Sequence, residues 1–118
     1  MKITRIDFQQ NWNNKLLCDV FTTVRPSTIK VTNGSRYAIY LRDVFFCYAD
    51  VLDVETMTLG EIISRNHHLT DTGKDEKFFT ELMHNFYHKK TWWKENDSVM
   101  NIIYFKKITQ TNLFDPLP

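Results

Sequence analysis

The run from Val44 to Val54 constrains this chain more than any other segment. In an extended backbone, Phe45, Cys47, Ala49 and Val51 point one way, and Phe46, Tyr48 and Leu52 the other. Both faces are then largely apolar, and a strand of that kind has to be covered on both sides. It therefore belongs near the centre of a sheet that the rest of the chain encloses. With 118 residues, 42% hydrophobic and 14% aromatic, the chain has material for one such core, and residues 1–118 read as a single domain. The tail from about Thr109 to Pro118 shows little pattern and reads as loosely attached.

Shorter strands flank this run. Ile3, Ile6 and Phe8 begin a first one. Val20-Phe21-Thr22-Thr23-Val24-Arg25 is β-branched and aromatic, and Pro26 stops it. Asn33-Gly34 is a strong turn dipeptide, after which Tyr37, Ile39 and Leu41 alternate as a strand, and Asp43 marks a tight connection into Val44. Ser98 to Lys107 is the last strand, with Val99, Asn101, Ile103 and Phe105 alternating against Met100, Ile102 and Tyr104.

Helical spacing appears in three places. Phe8, Trp12, Leu16 and Leu17 suit one face of a short helix between Gln9 and Leu17. Thr58-Leu59-Gly60-Glu61 fits a capping box, opening a helix with Leu59, Ile62 and Ile63, and Asp71-Thr72-Gly73 breaks it. A longer helix from about Asp75 carries Phe78, Phe79, Leu82, Met83 and Phe86 on one side. The order β-α-β-β-β-α-α-β does not alternate strictly, which argues against a doubly wound parallel sheet. It predicts an α+β fold: a small, mostly antiparallel or mixed sheet, curled into a barrel with helices packed at its ends.

A formal net charge of +1 removes bulk attraction as a way to hold nucleic acid, though it leaves room for a local basic groove. Cys18 and Cys47 form no CxxC pair and read as two reduced thiols. No apolar run approaches the ~20 residues that span a bilayer, and MKITRIDFQQ has no signal-type apolar region. A cytoplasmic protein with no membrane partner is the expectation. There is no P-loop, dinucleotide fingerprint, nucleophile elbow or Ser-His-Asp pattern, so no cofactor is expected. His84 and His88 share a helix face but lack the glutamate of HExxH and read as surface histidines, and His67-His68 would point in different directions on a helix, so no metal site is expected.

Two clusters point to recognition. Trp92-Trp93, with Phe86 and Tyr87 nearby and Lys89, Lys90 and Lys94 interleaved, offers stacking faces for bases and ammonium groups for phosphates. The alternative is a core tryptophan beside a solvated lysine face. Thr22, Thr23 and Arg25 end a strand, where Arg25 supplies a planar donor fork suited to a phosphate or a base edge. The alternative there is local hydrogen bonding alone.

Taken in order, these features resemble the ASCH domain family: Phe21-Thr22-Thr23-Val24-Arg25, a loop, Asn33-Gly34, two strands, a Leu-led helix, Asp71-Thr72-Gly73, a helix with Phe79 and Leu82, then Tyr87, Trp93 and a final strand from Val99. The resemblance covers about Ile3 to Lys107. It implies a PUA-like β-barrel with a cleft between barrel and helices, and a module that binds RNA or a modified nucleoside. It implies Thr22, Thr23, Arg25, Asp71, Tyr87 and Trp93 as ligand-binding residues: Arg25 on a phosphate or base edge, Asp71 accepting from an exocyclic amine, Tyr87 or Trp93 stacking. A bacterial branch that the chain distantly resembles hydrolyses N4-acetylcytidine with a threonine, a lysine three residues before it and an acid between the helices. By position the threonine is Thr23, the arginine of the same strand is Arg25, and the acid falls near Asp71. The lysine position is Val20, and Lys15 lies upstream, out of register. The resemblance thus implies a binding module first. A small amidohydrolase on acylated nucleosides, using Thr23 and Asp71, comes second, and Val20 argues against it.

Overall fold

The computed structural model describes residues 3–108, so the expectation for the tail lies outside the described residues. Five strands form one sheet: β1 (Thr4–Phe8), β2 (Val20–Pro26), β3 (Arg36–Leu41), β4 (Val44–Thr58) and β5 (Val99–Ile108). Their order across the sheet is β1-β3-β4-β5-β2, which puts the doubly apolar run at the centre. β4 continues past Val54 to Thr58. Val51 and Phe105 are paired neighbours, as are Val54 and Ile103.

Three of the four strand pairings are antiparallel; β1 pairs with β3 in parallel, Thr4 beside Tyr37 through Phe8 beside Leu41. A parallel neighbour requires a crossover. The chain leaves β1, crosses to the opposite edge as β2, and returns through the loop before β3. That loop turns at Thr32–Ser35, where the Ser35 amide donates to the Thr32 carbonyl (3.1 Å) and Gly34 takes the positive φ of +83° that the turn needs. The β3–β4 hairpin closes on Arg42-Asp43, both left-handed (φ 48° and 64°), the backbone that matches a two-residue loop to strand twist. Pro26 is accommodated as the last residue of β2 because β2 is an edge strand.

Irregularities at Ile39/Tyr40 and Val51/Asp53 bend the sheet. Among the described residues no ladder joins β1 to β2, so the sheet curls into a half-barrel. The seam is bridged by side chains instead. Phe8 meets Phe21 edge-on at 6.3 Å, and Arg25 Nη2 donates to the Asp7 carbonyl at 2.8 Å.

Two cores result. Phe8, Leu16, Phe21, Ile39, Val51 and Phe105 fill the curl, with Phe21 stacked on Phe105 at 5.4 Å. Val24, Leu59, Ile62, Phe79, Met83 and Ile102 fill the layer between sheet and helices. β5 serves both: Ile103 and Phe105 face the first, Met100 and Ile102 the second.

The helices are α1 (Leu59–Ser64), α2 (His67–Thr72) and α3 (Glu76–Tyr87). The capping box at α1 forms as expected: Thr58 Oγ1 accepts from the Glu61 amide (3.2 Å), and the Thr58 amide donates to Glu61 Oε1 (3.1 Å). Asn66, left-handed at φ 62°, separates α1 from α2, and Gly73 at φ +71° ends α2. Asp71 therefore stands in the last turn of a helix and not in the inter-helix loop, because the left-handed stop comes two residues later. Asp75 caps α3 by accepting from the Phe78 amide at 2.9 Å. On α3 only Phe79 and Met83 are buried, while Phe78 and Phe86 are exposed. The expected helix before β2 is a 3-10 segment, Trp12–Leu17, kinked by Asn13 and Asn14 in left-handed conformation. The kink buries Lys15 with Leu16 and turns Leu17 out to 68% exposure. Among the described residues no helix is long and apolar enough to cross a membrane.

Candidate functional site

Where the seam of the half-barrel faces α2 and α3 there is a cavity of about 370 Å³, within the range of small-ligand sites. β1, the Trp12–Leu17 segment, β2, α2 and α3 all contribute to its wall.

Strand alternation puts Thr23 and Arg25 on one face of β2 and Thr22 on the other. Because β2 is an edge strand flanked by the 3-10 segment and α2, both faces find polar partners. Thr22 donates its hydroxyl to Asp71 Oδ1 at 3.2 Å. Lys15 Nζ donates to the same oxygen at 2.7 Å, and the two charged side chains are 6% and 7% exposed. Burial pushes the Lys15 amine below its usual range, and Asp71 pulls it partly back. Asp71 Oδ2 takes no hydrogen bond from the described residues, while Asp71 lines the cavity.

Arg25 is half-buried on the opposite side. Its Nε donates to Thr23 Oγ1 at 3.1 Å and its Nη2 to the Asp7 carbonyl. Phe8 lies beneath both cations, 5.0 Å from the Arg25 guanidinium and 5.2 Å from Lys15 Nζ. Desolvation lowers the Arg25 pKa; it raises that of the Tyr87 phenol, with Arg25 opposing. Trp12, Phe86 and Tyr87 supply aromatic wall, with Trp12 edge-on to Phe78 (5.5 Å) and Tyr87 backed by Trp92 (5.4 Å).

Four of the residues singled out in the sequence, Thr23, Arg25, Asp71 and Tyr87, line this one cavity. Thr22 supports Asp71 without lining it. Trp93 lies elsewhere: it packs against Trp92 (6.2 Å) and His84 (6.1 Å), and its indole N–H is buried with no acceptor among the described residues. Its place in the chain, beyond the end of α3, turns it toward the helix-side core. Val20 is half-exposed, at 50%, and has no part in the wall.

The residue that sequence reasoning set aside as out of register, and that the structure brings to the site, is Lys15. It is 56 residues from Asp71 in sequence, and only the Asn13-Asn14 kink aims it inward. The one signal for it was the Asn-Asn pair, residues that tolerate left-handed backbone.

Elsewhere, Cys18 is exposed and Cys47 half-buried, both unbridged. His84 and His88 are exposed with rings stacked at 4.7 Å. The described residues hold no cluster of three metal-ligating side chains.

No family model and no curated protein matches the sequence. Among solved structures, the fold is similar to the ASCH domain from Lactobacillus crispatus JV V101, with a TM-score of 0.63 over 89% of this chain and 79% of that one, at 12% sequence identity. The fold of this chain is thus the α+β, PUA-like fold of an ASCH domain.

Proposed function

We propose that this ASCH-type domain binds a nucleobase in the cavity, carried by a modified nucleoside or by RNA. The observation that carries the reading is the pairing of an open acceptor with an open donor set in one aromatic-walled space: Asp71 Oδ2 on one side and the rest of the Arg25 fork on the other. A base stacks on Tyr87, Phe86 or Trp12. Its exocyclic amine donates to Asp71 Oδ2, and Arg25 donates to an oxygen of the ligand. Lys15 and Thr22 hold the carboxylate in place. As a binding module the domain needs no metal or cofactor, and nothing in the reading calls for a membrane.

Titration of labelled single-stranded RNA and of free nucleosides tests this, followed by intrinsic fluorescence, since Trp12 is in the wall. Saturable binding that Asp71→Asn weakens by about tenfold supports the reading; a charged hydrogen bond is worth about 1.5–3 kcal/mol. No binding to the folded protein at low salt rejects it.

Hydrolysis of acylated nucleosides is the second reading, and Lys15 favours it. Its amine donates to the same Asp71 oxygen as the Thr22 hydroxyl and so puts an amine at the acid, where the family register has only Val20. In that chemistry the Thr23 hydroxyl attacks the acyl carbonyl and an unprotonated amine takes its proton; the amide C–N bond breaks as that proton passes to the leaving N4 amine, and water then hydrolyses the acyl-threonine to release acetate. Acetate release from N4-acetylcytidine, lost in Thr23→Val and in Lys15→Met, establishes it. A flat product trace from folded protein leaves binding alone.

A further inference from the structure

One charged side chain of the cavity wall, Arg25, has no direct ion-pair partner among the described residues. Asp7 lines the cavity, but its carboxylate is bound by Arg5, on β1's exposed side. Asp71 is bound by Lys15. Arg25 is the remaining charge, and among the described residues no carboxylate lies within 4 Å of it. Two of its N–H groups are engaged, by the Thr23 hydroxyl and the Asp7 carbonyl, and both acceptors are neutral. The other N–H groups meet no acceptor among the described residues and belong to a side chain that lines the cavity. Tyr87 is the remaining titratable group on that wall, and its raised phenol pKa keeps it neutral near pH 7.

A half-buried guanidinium is expensive to desolvate, and proteins normally place a counter-charge on it. Here Asp71 and Asp7 act on Arg25 without touching it, Asp71 being paired with Lys15 and Asp7 with an Arg5 that Asp43 also binds. The two engaged N–H groups fix the plane of the fork, which is the preorganisation that a tetrahedral or planar oxyanion exploits.

We infer that the ligand of this cavity carries one anionic group, a phosphate or a carboxylate, seated on Arg25. The inference deepens the proposed function and rests on it for the identity of the rest of the ligand: the nucleoside enters as a nucleotide, free or within a chain, with its base toward Asp71 and its phosphate on Arg25.

The experiment uses the wild-type chain at constant ionic strength. The four common ribonucleosides are titrated beside their 5′- and 3′-monophosphates, with inorganic phosphate and acetate alone as further arms. The expected result is a preference of about ten- to a hundredfold for a monophosphate over its nucleoside. Arg25→Gln abolishes that preference and Arg25→Lys reduces it, folding being checked by circular dichroism. If Arg25→Gln does not fold, the wild-type ratio and Arg25→Lys decide. Nucleosides binding as tightly as their monophosphates overturn the anion while leaving the base reading intact. Phosphate or acetate binding that depends on Arg25, with no nucleoside or nucleotide bound, supports the anion and rejects the base. Binding by none of these overturns both.

Discussion

The Lys15–Asp71 pair permits a quantitative test. Asp71→Asn keeps the shape of the side chain and an acceptor for Thr22 and Lys15, but removes the charge that compensates a buried ammonium. Deleting one partner of a buried pair costs about 3–5 kcal/mol. With the amide oxygen still accepting, the lower end applies, about 3 kcal/mol, against a total stability of about 5–15 kcal/mol for a domain. Lys15 has an escape, which is to lose its proton. Starting from an ordinary lysine near 10.4, that costs about 4.6 kcal/mol at pH 7 and about 1.4 kcal/mol less for each pH unit above it. Burial already lowers the Lys15 pKa in the wild type, and losing Asp71 lowers it further. The unfolded chain then binds more protons than the folded one, so stability rises with pH between the folded pKa of Lys15 and its unfolded value of 10.5. The deficit of Asp71→Asn should therefore shrink from pH 7 to pH 9. Urea unfolding followed by tryptophan fluorescence measures it: with a slope of about 1.5 kcal/mol per molar, a 3 kcal/mol loss moves the midpoint by about 2 M. Lys15→Met combined with Asp71→Leu should recover most of the loss, since apolar side chains of similar volume replace buried ion pairs at little cost. A deficit below about 0.5 kcal/mol, the size of an ordinary surface change, or one that does not vary with pH, would refute the reasoning.

Three other outcomes are expected. Gly73→Ala should lose more stability than Gly34→Ala: both sit at positive φ, costing about 1 kcal/mol, but a Cβ at Gly73 meets Asn13 Oδ1 at 3.0 Å while one at Gly34 has nothing within 4 Å. Equal thermal shifts would contradict this. Thr58→Ala removes both the acceptor for the Glu61 amide and the anchor of the box, and should cost about 1 kcal/mol in the same urea assay. Tyr104, desolvated and donating to Glu55, has its pKa pushed up to about 12, so its contribution to stability is complete below pH 10 and is lost as pH rises from 10 to 12. Phenolate absorbance should show that late ionisation, and Tyr104→Phe should remove it.

How much of this was legible depended on the range over which each determinant acts. The central place of β4 could be read because its evidence is local, residues of both parities between Val44 and Val54 being apolar, but the cover on both sides expected with it fails, since Val44, Phe45 and Leu52 are exposed. The Thr58–Glu61 box was equally local. The parallel β1–β3 pair was hidden, since alternation in Ile6 and Phe8 says nothing of strand direction. The reading of Phe8, Trp12, Leu16 and Leu17 as one helix face failed because two left-handed asparagines reset the phase between Trp12 and Leu16. Within the cavity, Thr23, Arg25, Asp71 and Tyr87 could be named from a family-like order of motifs. Lys15 was rejected on register, because its position follows from tertiary packing against α2 and not from spacing along the chain.

One consequence of β5 reaches beyond the cavity. Neighbouring residues Ile102 and Ile103 anchor opposite layers, so neither layer can loosen without disturbing the strand on which the other is built. Melting of the two layers as one unit is the expected result, with a single transition in calorimetry as its check. Phe79, in the layer under the helices, and Phe8, under the two cations, are thus linked through one shared strand.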